Sequence, residues 1–479
     1  MSIERKAISA LKWASAAKLV SQIVSWAGTL VVVRLLTPED YGLMAKVSVV
    51  CAIAAAIAEF GLEAAIVRWA ELARDDLRKL YGVSLLFGAA ITLVVAASAP
   101  LFALLFHEPR MTWPVACASL QIVIASVAVV PSALWTRELT FRPLAKIEMV
   151  VGIVSIAVTV LLAYLGMGVW SLVIGMLAGA VVRSSALLAF GERVSPLFSV
   201  HGIGEQLKFG LTLASGRISY IALVQSDIMI GSAFLSTVQI GRYSVALQLA
   251  TLPMTKVMGT INQIMLPAVA RQQDDMPRAR QNLFKSVSLV ATIAFPVLWG
   301  LSSIAPELVQ VLFGPKWLEI VPALMILPLI VPIRMVSNIL YTTSLALGNR
   351  ALELRNTIIN FLVLPTGFYI GAYWGLVGLC LAWLVAVPLA YSFTVRAVAR
   401  FIGVRISGLL AECAAPAAAS AIMYGAVAAL RLVLDGWPTV VTLVTLIVAG
   451  ALVYVAVMAL ISRRHLVTAL NFSRTMLTG

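Results

Sequence analysis

Charged residues are scarce in this chain of 479 residues. Asp, Glu, Lys and Arg together make up 12% of it, whereas hydrophobic residues make up 61%. A soluble domain is about half apolar and about a quarter charged, so this composition excludes an ordinary soluble protein. The apolar residues fall in long blocks, and about 20 such residues form a helix that crosses the ~30 Å hydrocarbon core of a bilayer. The sequence therefore predicts an all-α polytopic membrane protein.

The chain also lacks the motifs of enzymes and metal sites. Its four cysteines stand singly, without a CxxC spacing that would indicate a metal site or a redox pair. Its three histidines lie far apart, and no HExxH, P-loop or GxSxG sequence occurs. We expect no catalytic residues, no metal and no cofactor.

The apolar runs, interrupted by charged residues, Gly and Pro, predict about fourteen transmembrane helices. Their approximate limits are 11–36, 41–67, 80–106, 112–136, 144–165, 168–190, 207–232, 241–269, 283–305, 318–346, 353–372, 374–395, 408–430 and 438–461. The longest predicted outside loop lies near residues 306–317.

Short sequence matches recur in the same order in the two halves of the chain. Ala99-Pro100 is repeated as Ala305-Pro306, and Trp170-Ser171-Leu172-Val173 as Trp374-Gly375-Leu376-Val377. Each copy holds six predicted helices, an even number, so the two copies are parallel repeats, an arrangement typical of transporters. The predicted organisation is a six-helix lobe over 1–195, a second over 196–400, and two further helices with a tail over 401–479.

The distribution of Lys and Arg predicts the orientation. With a cytoplasmic N-terminus, 25 of the 35 fall in inside segments, 5 in outside segments and 5 within spans, by our count. An excess of cations in cytoplasmic segments is the usual rule of membrane topology. Both termini are therefore predicted to be cytoplasmic. The net charge of +14 follows from this topology and from anionic lipid headgroups, so we expect membrane lipids as partners and no nucleic acid.

The cations within the spans are the candidate substrate-binding residues, because a charge at mid-bilayer is costly unless it faces a cavity or a partner. Three polar side chains share helix faces with three of these cations, at steps of four or seven residues. The candidates are Arg217, Lys256, Arg334, Lys18 and Lys46, with Asn338, Gln263 and Gln22. An excess of positive charge suits an anionic cargo such as a phosphate. The alternative is that each cation pairs with an acid or extends to the membrane surface.

Two acids, Glu59 and Asp227, also lie within predicted spans. One interpretation is that they are counter-ions of the intramembrane cations. The other is that they take up a proton or sodium ion that drives transport, a role that intramembrane carboxylates often have.

Several motifs resemble those of a known family. Leu35-Leu36-Thr37-Pro38-Glu39-Asp40-Tyr41-Gly42-Leu43 resembles its segment between helices one and two, and Phe60-Gly61-Leu62-Glu63-Ala64-Ala65 the end of its helix two. Arg137-Glu138-Leu139-x-Phe141-Arg142, Gly168-Val169-Trp170-Ser171 and Gly241-Arg242-Tyr243-Ser244 match further motifs in order. Together they resemble the polysaccharide transporter family (Wzx-type and colanic-acid-exporter-like) of the multidrug/oligosaccharidyl-lipid/polysaccharide superfamily.

This resemblance implies a flippase in the bacterial inner membrane. Its cargo would be an undecaprenyl-pyrophosphate-linked oligosaccharide, moved by alternating access through a V-shaped cavity between two six-helix lobes. Such a protein would serve exopolysaccharide, capsule or lipopolysaccharide O-antigen synthesis, with a polysaccharide polymerase and chain-length proteins as partners. The alternatives are a drug/cation antiporter of the same superfamily and a membrane enzyme of polysaccharide assembly. The short outside loops disfavour the enzyme, and the excess of intramembrane cations disfavours the antiporter.

The predicted topology is testable with reporter fusions. Fusions placed after Arg464 and near Gly436 should report opposite sides of the membrane, the first cytoplasmic and the second periplasmic, because the last predicted span separates them. Alkaline phosphatase and green fluorescent protein activities measure the two locations. A periplasmic report from the fusion after Arg464 would show that the number of spans is wrong.

Overall fold

The computed structural model describes residues 27–69, 73–138, 140–270, 275–347 and 350–467, and this part of the chain is helical without strands. The helices are α1 (described over residues 27–35), α2 (Pro38–Glu59), α3 (Leu62–Arg68), α4 (Arg74–Ala97), α5 (Ala99–Leu105), α6 (Thr112–Arg137), α7 (Phe141–Tyr164), α8 (Val169–Phe190), α9 (Gly204–Val224), α10 (Ser226–Phe234), α11 (Thr237–Ala270), α12 (Met276–Ser303), α13 (Ala305–Leu312), α14 (Val321–Ala346), α15 (Arg350–Ala372), α16 (Gly375–Ile402), α17 (Ile406–Val433) and α18 (Thr439–Ile461). Short 3₁₀ helices, Pro109–Met111 and Pro315–Ile320, precede α6 and α14.

Eleven helical segments in the described part are long and apolar enough to cross a membrane. This confirms the all-α polytopic class. The predicted spans 241–269 and 353–372 are occupied by helices α11 and α15, although these are not among the eleven. The predicted span 11–36 lies mostly outside the described residues. The number fourteen therefore stays a prediction.

Three predicted spans are interrupted. The span 41–67 breaks between α2 and α3, the span 80–106 breaks at Ser98, and the span 207–232 breaks at Gln225. Hydropathy measures apolar length and not the direction of the backbone, so these breaks were missed. The predicted outside connection near 306–317 is occupied mostly by α13 and the second 3₁₀ helix, and its location outside the membrane stays a prediction.

The chain forms two compact units, residues 1–233 and 234–479, and corresponding helices have the same neighbours in each. In the first unit α4 packs on α6, α6 on α8, and α7 on α8. In the second unit α12 packs on α14, α14 on α16, and α15 on α16. The duplication seen in the sequence is therefore a duplication of helix packing. By its contacts α9 belongs to the first unit, so the predicted lobe boundary at 195 stays a prediction.

Corresponding helices of the two units begin with the same capping arrangement. The Thr37 hydroxyl accepts a hydrogen bond from the Asp40 backbone N–H, and an Asp40 carboxylate oxygen accepts one from the Thr37 N–H at 2.9 Å. Before α11, Ser236 and Gln239 exchange hydrogen bonds in the same way, at 3.3 and 3.1 Å. Such a capping box satisfies helix N–H groups that have no partner within the helix. The motif around Thr37-Pro38-Glu39-Asp40 is thus a helix start.

An ion pair ties each of these helix starts to the following 3₁₀ helix, with the charges reversed between units. In the first unit the acid is on the long helix: Glu39 accepts from Arg110 of the 3₁₀ helix at 2.8 Å. In the second unit the base is on the long helix: Arg242 donates to Glu319 of the 3₁₀ helix at 2.8 Å. Both pairs join the first two turns of the long helix to the 3₁₀ helix, although the positions and the signs of the charges differ.

The two last helices pack within the second unit, α17 against α12 and α18 against α13 and α17. Arg431 near the end of α17 binds Glu307 of α13 through two hydrogen bonds, at 2.6 and 2.9 Å. Glu307 is buried, and a bidentate guanidinium–carboxylate pair is the strong form of such a contact. The pair fixes the C-terminal end of α17 to α13.

The break between α2 and α3 packs directly on α9. Phe60 and Gly61 both have left-handed backbone conformations, with φ of 48° and 61°. Neither Gly61 nor Gly210 of α9 has room for a Cβ, because a Cβ on Gly61 would meet the Gly210 carbonyl and a Cβ on Gly210 would meet the Phe60 carbonyl. Glycine at both positions lets the two backbones touch, which places the end of α2 beside α9.

Replacement of Gly210 should therefore destabilise the first unit. Gly210→Ala forces a Cβ onto the carbonyl of Phe60, and overpacking of this kind costs about 1–3 kcal/mol. The matched control is Gly216→Ala on the same helix, where a Cβ meets nothing within 4 Å. Thermal unfolding of the purified protein in detergent measures both. Equal melting temperatures for the two variants would contradict the packing of α9 on this break.

Candidate substrate site

Arg334 lies in the middle of α14, just after two prolines. Pro328 and Pro332 are inside the helix, and each removes a backbone N–H donor and favours a bend. The guanidinium of Arg334 lies over the indole of Trp383 on α16, with Cζ 4.4 Å from the ring centroid. At this distance the contact is a cation–π interaction, so Arg334 is held by an aromatic ring.

Trp383 is itself fixed by residues of two other helices. Its indole Nε1–H donates to the hydroxyl of Tyr243 on α11 at 2.6 Å, and its ring lies 5.0 Å from that of Phe368 on α15. All three aromatic side chains are buried, with 6% of Trp383 and none of Tyr243 exposed. A satisfied, close-packed aromatic group of this kind is rigid. Helices α11, α14, α15 and α16 thus meet behind Arg334.

No carboxylate oxygen in the described part of the chain lies within 4.0 Å of the Arg334 guanidinium nitrogens. Its Nε is buried and has no hydrogen-bond partner there. Trp383 covers a face of the guanidinium, and the N–H groups that bind oxyanions lie along the edge of such a group. Asn338, one turn further along α14, is half-buried. The arrangement offers an oriented, uncompensated cation.

Other predicted cations of the second unit are described less fully. Lys256 and Gln263 lie on α11, but their side chains are outside the described residues. The position of Lys256 is 13 residues beyond Tyr243, or about 20 Å along the helix axis. Lys18 and Gln22 lie outside the described residues altogether.

In the first unit Arg217 is paired with Glu59. Arg217 follows Gly210 by two turns on α9, and its NH1 lies 2.8 Å from Oε2 of Glu59 at the end of α2. Both side chains are about half exposed, 59% and 43%. This geometry supports the interpretation of Glu59 as a counter-ion. A role in ion coupling stays a prediction.

Lys46 and Asp227 are both buried, with 2% and 1% exposed. The Lys46 ammonium donates to the carbonyl of Phe106 at 3.3 Å, which ties α2 to the end of α5. Asp227 lies in the first turn of α10, where its Oδ1 accepts from the Ile228 N–H at 2.7 Å. An acid at a helix N-terminus is favourable. Both residues have the environment of structural groups, and their predicted functional roles stay predictions.

The sequence makes Arg334 a candidate but does not show which residues hold it. Trp383 lies inside an apolar run. An aromatic residue in such a run is typical of any membrane helix, so the sequence does not single it out. Tyr243 was recognised only as part of the Gly241-Arg242-Tyr243-Ser244 motif. The structure gives this motif a role, because its tyrosine orients Trp383 and its arginine braces the second 3₁₀ helix.

Two compact helical units with corresponding helix packing and, in the described part of the chain, eleven segments able to span a membrane define a polytopic membrane protein built on an internal repeat. The fold is similar to "Lipid II flippase MurJ, inward closed conformation", with a TM-score of 0.76 and 15% identity over 94% of this chain and 99% of that one. It is also similar to "Inward-facing conformation of a multidrug resistance MATE family transporter of the MOP superfamily", with a TM-score of 0.60 and 15% identity over 79% and 95% of the two chains.

The chain belongs to the polysaccharide biosynthesis protein family, which matches residues 31–322. It is 26% identical to "Uncharacterized membrane protein in cps region" of Klebsiella pneumoniae, over 80% of both chains. It is 25% identical to "Lipopolysaccharide biosynthesis protein WzxC" of Escherichia coli (strain K12), over 80% of this chain and 79% of that protein. A third relative is "Succinoglycan biosynthesis transport protein ExoT" of Rhizobium meliloti (strain 1021), 27% identical over 62% and 61% of the two chains. The resemblance seen in the motifs is thereby confirmed.

The pair of Glu59 and Arg217 leads to a test of the counter-ion role. Glu59→Gln should reduce surface polysaccharide in a strain that depends on this protein, because Arg217 then has no carboxylate beside it. Adding Arg217→Gln should restore part of that loss, since the uncompensated charge is gone. Polysaccharide yield at equal protein abundance measures both effects. A double variant as defective as Glu59→Gln alone would contradict the counter-ion role and favour ion coupling.

Proposed function

We propose that this protein is a flippase for lipid-linked oligosaccharides in the bacterial inner membrane. The cargo is an undecaprenyl-pyrophosphate-linked repeat unit, which moves from the cytoplasmic to the periplasmic leaflet for exopolysaccharide, capsule or O-antigen synthesis. Membership of the polysaccharide biosynthesis protein family supports this class of function. The names of WzxC, ExoT and the lipid II flippase support it further.

The observation that carries the proposal is the stacked, uncompensated guanidinium of Arg334. A cation in a membrane-spanning helix without a carboxylate partner is costly, and an anionic ligand reduces that cost whenever it is present. A guanidinium binds phosphate through parallel N–H···O bonds. Stacking on Trp383 orients it before the ligand arrives, so less conformational entropy is lost on binding. The diphosphate of the lipid carrier is a ligand of this kind.

The other cations have different places in this proposal. Lys256 and Lys18 are further anion-binding candidates by their sequence positions. Arg217 already forms an ion pair with Glu59. It can bind the diphosphate only if the diphosphate replaces Glu59 as its partner or binds Arg217 together with Glu59. If Arg217 exchanged Glu59 for the diphosphate during an alternating-access cycle, binding of the cargo would be coupled to the change of conformation. A coupling ion on Glu59 or Asp227 could take part in this exchange.

The cellular setting follows from the same proposal. The predicted orientation places both termini in the cytoplasm, where the lipid-linked oligosaccharide is made. The polysaccharide polymerase and chain-length proteins that use the flipped units are the expected functional partners. No catalytic role is proposed, because flipping requires movement of the cargo and no bond to be made or broken.

A drug/cation antiporter is the second candidate, favoured by the structural similarity to a multidrug transporter. A cationic cargo requires an available carboxylate, whereas the described site of the second unit presents a cation. An efflux assay with a cationic dye separates the two. Dye efflux that needs this protein, with normal surface polysaccharide in its absence, would favour the antiporter.

Substitutions of Arg334 test the phosphate site. Arg334→Ala should lower flipping of lipid-linked oligosaccharide in reconstituted vesicles by about 10- to 100-fold, the loss expected for a hydrogen bond to a charged group. Arg334→Glu should be worse, because it repels the diphosphate. Arg334→Lys should retain part of the activity, since its charge remains but its two-point geometry does not.

The matched control is Arg396→Ala on α16, where the arginine is exposed and donates only to Ser392 in the described part. This variant should flip normally. Abundance and melting temperature of each variant exclude misfolding. Flipping by Arg334→Ala at the rate of the control would overturn the phosphate site.

A further inference from the structure

An exposed cluster of aromatic side chains lies at one end of the second unit. Its members are Phe234 at the end of α10, Tyr369 on α15 and Tyr373 just after α15, and we refer to them as the aromatic cluster. Phe234 lies 5.3 Å from the Tyr369 ring and 4.8 Å from the Tyr373 ring, and the two tyrosine rings lie 5.3 Å apart. The rings therefore contact one another although the residues are exposed: 39% of Phe234, 49% of Tyr369 and 62% of Tyr373.

The hairpin that carries the two tyrosines is tightly packed. Gly371 of α15 and Gly378 of α16 have no room for a Cβ, because each faces the other's carbonyl. Gly375 makes the turn with a φ of 71°, and the Trp374 N–H donates to the Gly371 carbonyl at 3.0 Å. Backbones in contact form a stiff support, so the aromatic cluster is presented in one arrangement. A preformed surface of this kind binds with a small entropic cost.

The chemistry of the cluster is neutral and amphipathic. No charged residue occurs between Arg355 and Arg396, or between Asp227 and Arg242. The hydroxyls of Tyr369 and Tyr373 lie 2.8 Å apart, so one donates to the other. The second hydroxyl proton and the remaining lone pairs stay available to a ligand. Aromatic faces beside hydroxyl groups match the apolar faces and hydroxyls of a sugar, whereas they do not match a phosphate.

We propose that the aromatic cluster is a saccharide-binding platform that receives the sugar part of the cargo. This inference rests on the proposed flippase function and assigns the sugar moiety a contact separate from the phosphate site at Arg334. The predicted topology places the connection between α15 and α16 on the periplasmic side. The platform would therefore hold the oligosaccharide after it has crossed the membrane.

The first unit supplies a natural comparison. Its corresponding hairpin, between α7 and α8, has an exposed tyrosine, Tyr164 with 78% exposed. The residue before the repeated tryptophan is Val169 there and Tyr373 in the second unit. A general need for aromatic side chains at a membrane surface would apply to both hairpins. The three-ring cluster with paired hydroxyls is described in the second unit only.

The test is direct binding of a sugar to the purified protein in nanodiscs. The probe is the free oligosaccharide repeat unit released from the surface polysaccharide of the same organism, without lipid or phosphate, and calorimetry measures its Kd. Tyr369→Ala with Tyr373→Ala should raise the Kd at least tenfold, which is about the loss of one or two hydrogen bonds and a stacking face. Tyr369→Phe with Tyr373→Phe keeps the rings and should raise it by about threefold. Tyr164→Ala is the control and should leave the Kd unchanged.

The outcomes separate this inference from the proposed function. Wild-type protein that flips lipid-linked oligosaccharide but binds no free oligosaccharide would overturn the platform alone. Equal Kd values for the double Ala variant and the Tyr164→Ala control would also overturn it. Sugar binding that depends on the two tyrosines, in a protein that flips nothing, would support the platform and reject the flippase.

Discussion

The structure depends on one constraint: within hydrocarbon every backbone N–H and C=O must find its partner inside the protein. Continuous helices satisfy this requirement by themselves, and the interruptions occur where other groups replace the missing bonds. Thr37 and Asp40 cap one helix start, and Ser236 and Gln239 cap its counterpart. The break at Phe60 and Gly61 lies against the backbone of α9. These helix starts and this break therefore each have a local physical support.

Several charges within the helical units follow a similar rule, and Arg334 departs from it. Lys46 donates to a carbonyl, Glu59 binds Arg217, and Glu307 binds Arg431. Each contact reduces the cost of taking an ion out of water. Arg334 is instead stabilised by an aromatic face, which leaves its charge uncompensated by a carboxylate in the described part. A protein gains from such an arrangement when an anion occupies it for part of a cycle.

The two units share one packing plan but differ in their charged and aromatic side chains. The capping boxes were kept, whereas the ion pairs that follow them carry opposite signs, Glu39 with Arg110 and Arg242 with Glu319. An ion pair is unchanged in energy when both charges are exchanged, so this brace tolerates reversal. The stacked arginine and the aromatic cluster are both in the second unit. In the described part of the chain, both candidate ligand-binding groups thus lie in the second copy of the repeat.

The sequence by itself determined the class of the protein, the approximate limits of most helices, the repeat and the family. These follow from hydropathy and short motifs, which are local properties. It also made Arg334 and Glu59 candidate residues, because charges in apolar runs are conspicuous. Only the tertiary structure decided that Glu59 faces Arg217 and that Arg334 stacks on Trp383. These partners lie on different helices, and hydropathy contains no information on how helices are rotated about their axes or which of them touch. For the same reason the sequence does not predict the aromatic cluster, whose three rings come from two distant segments of the chain.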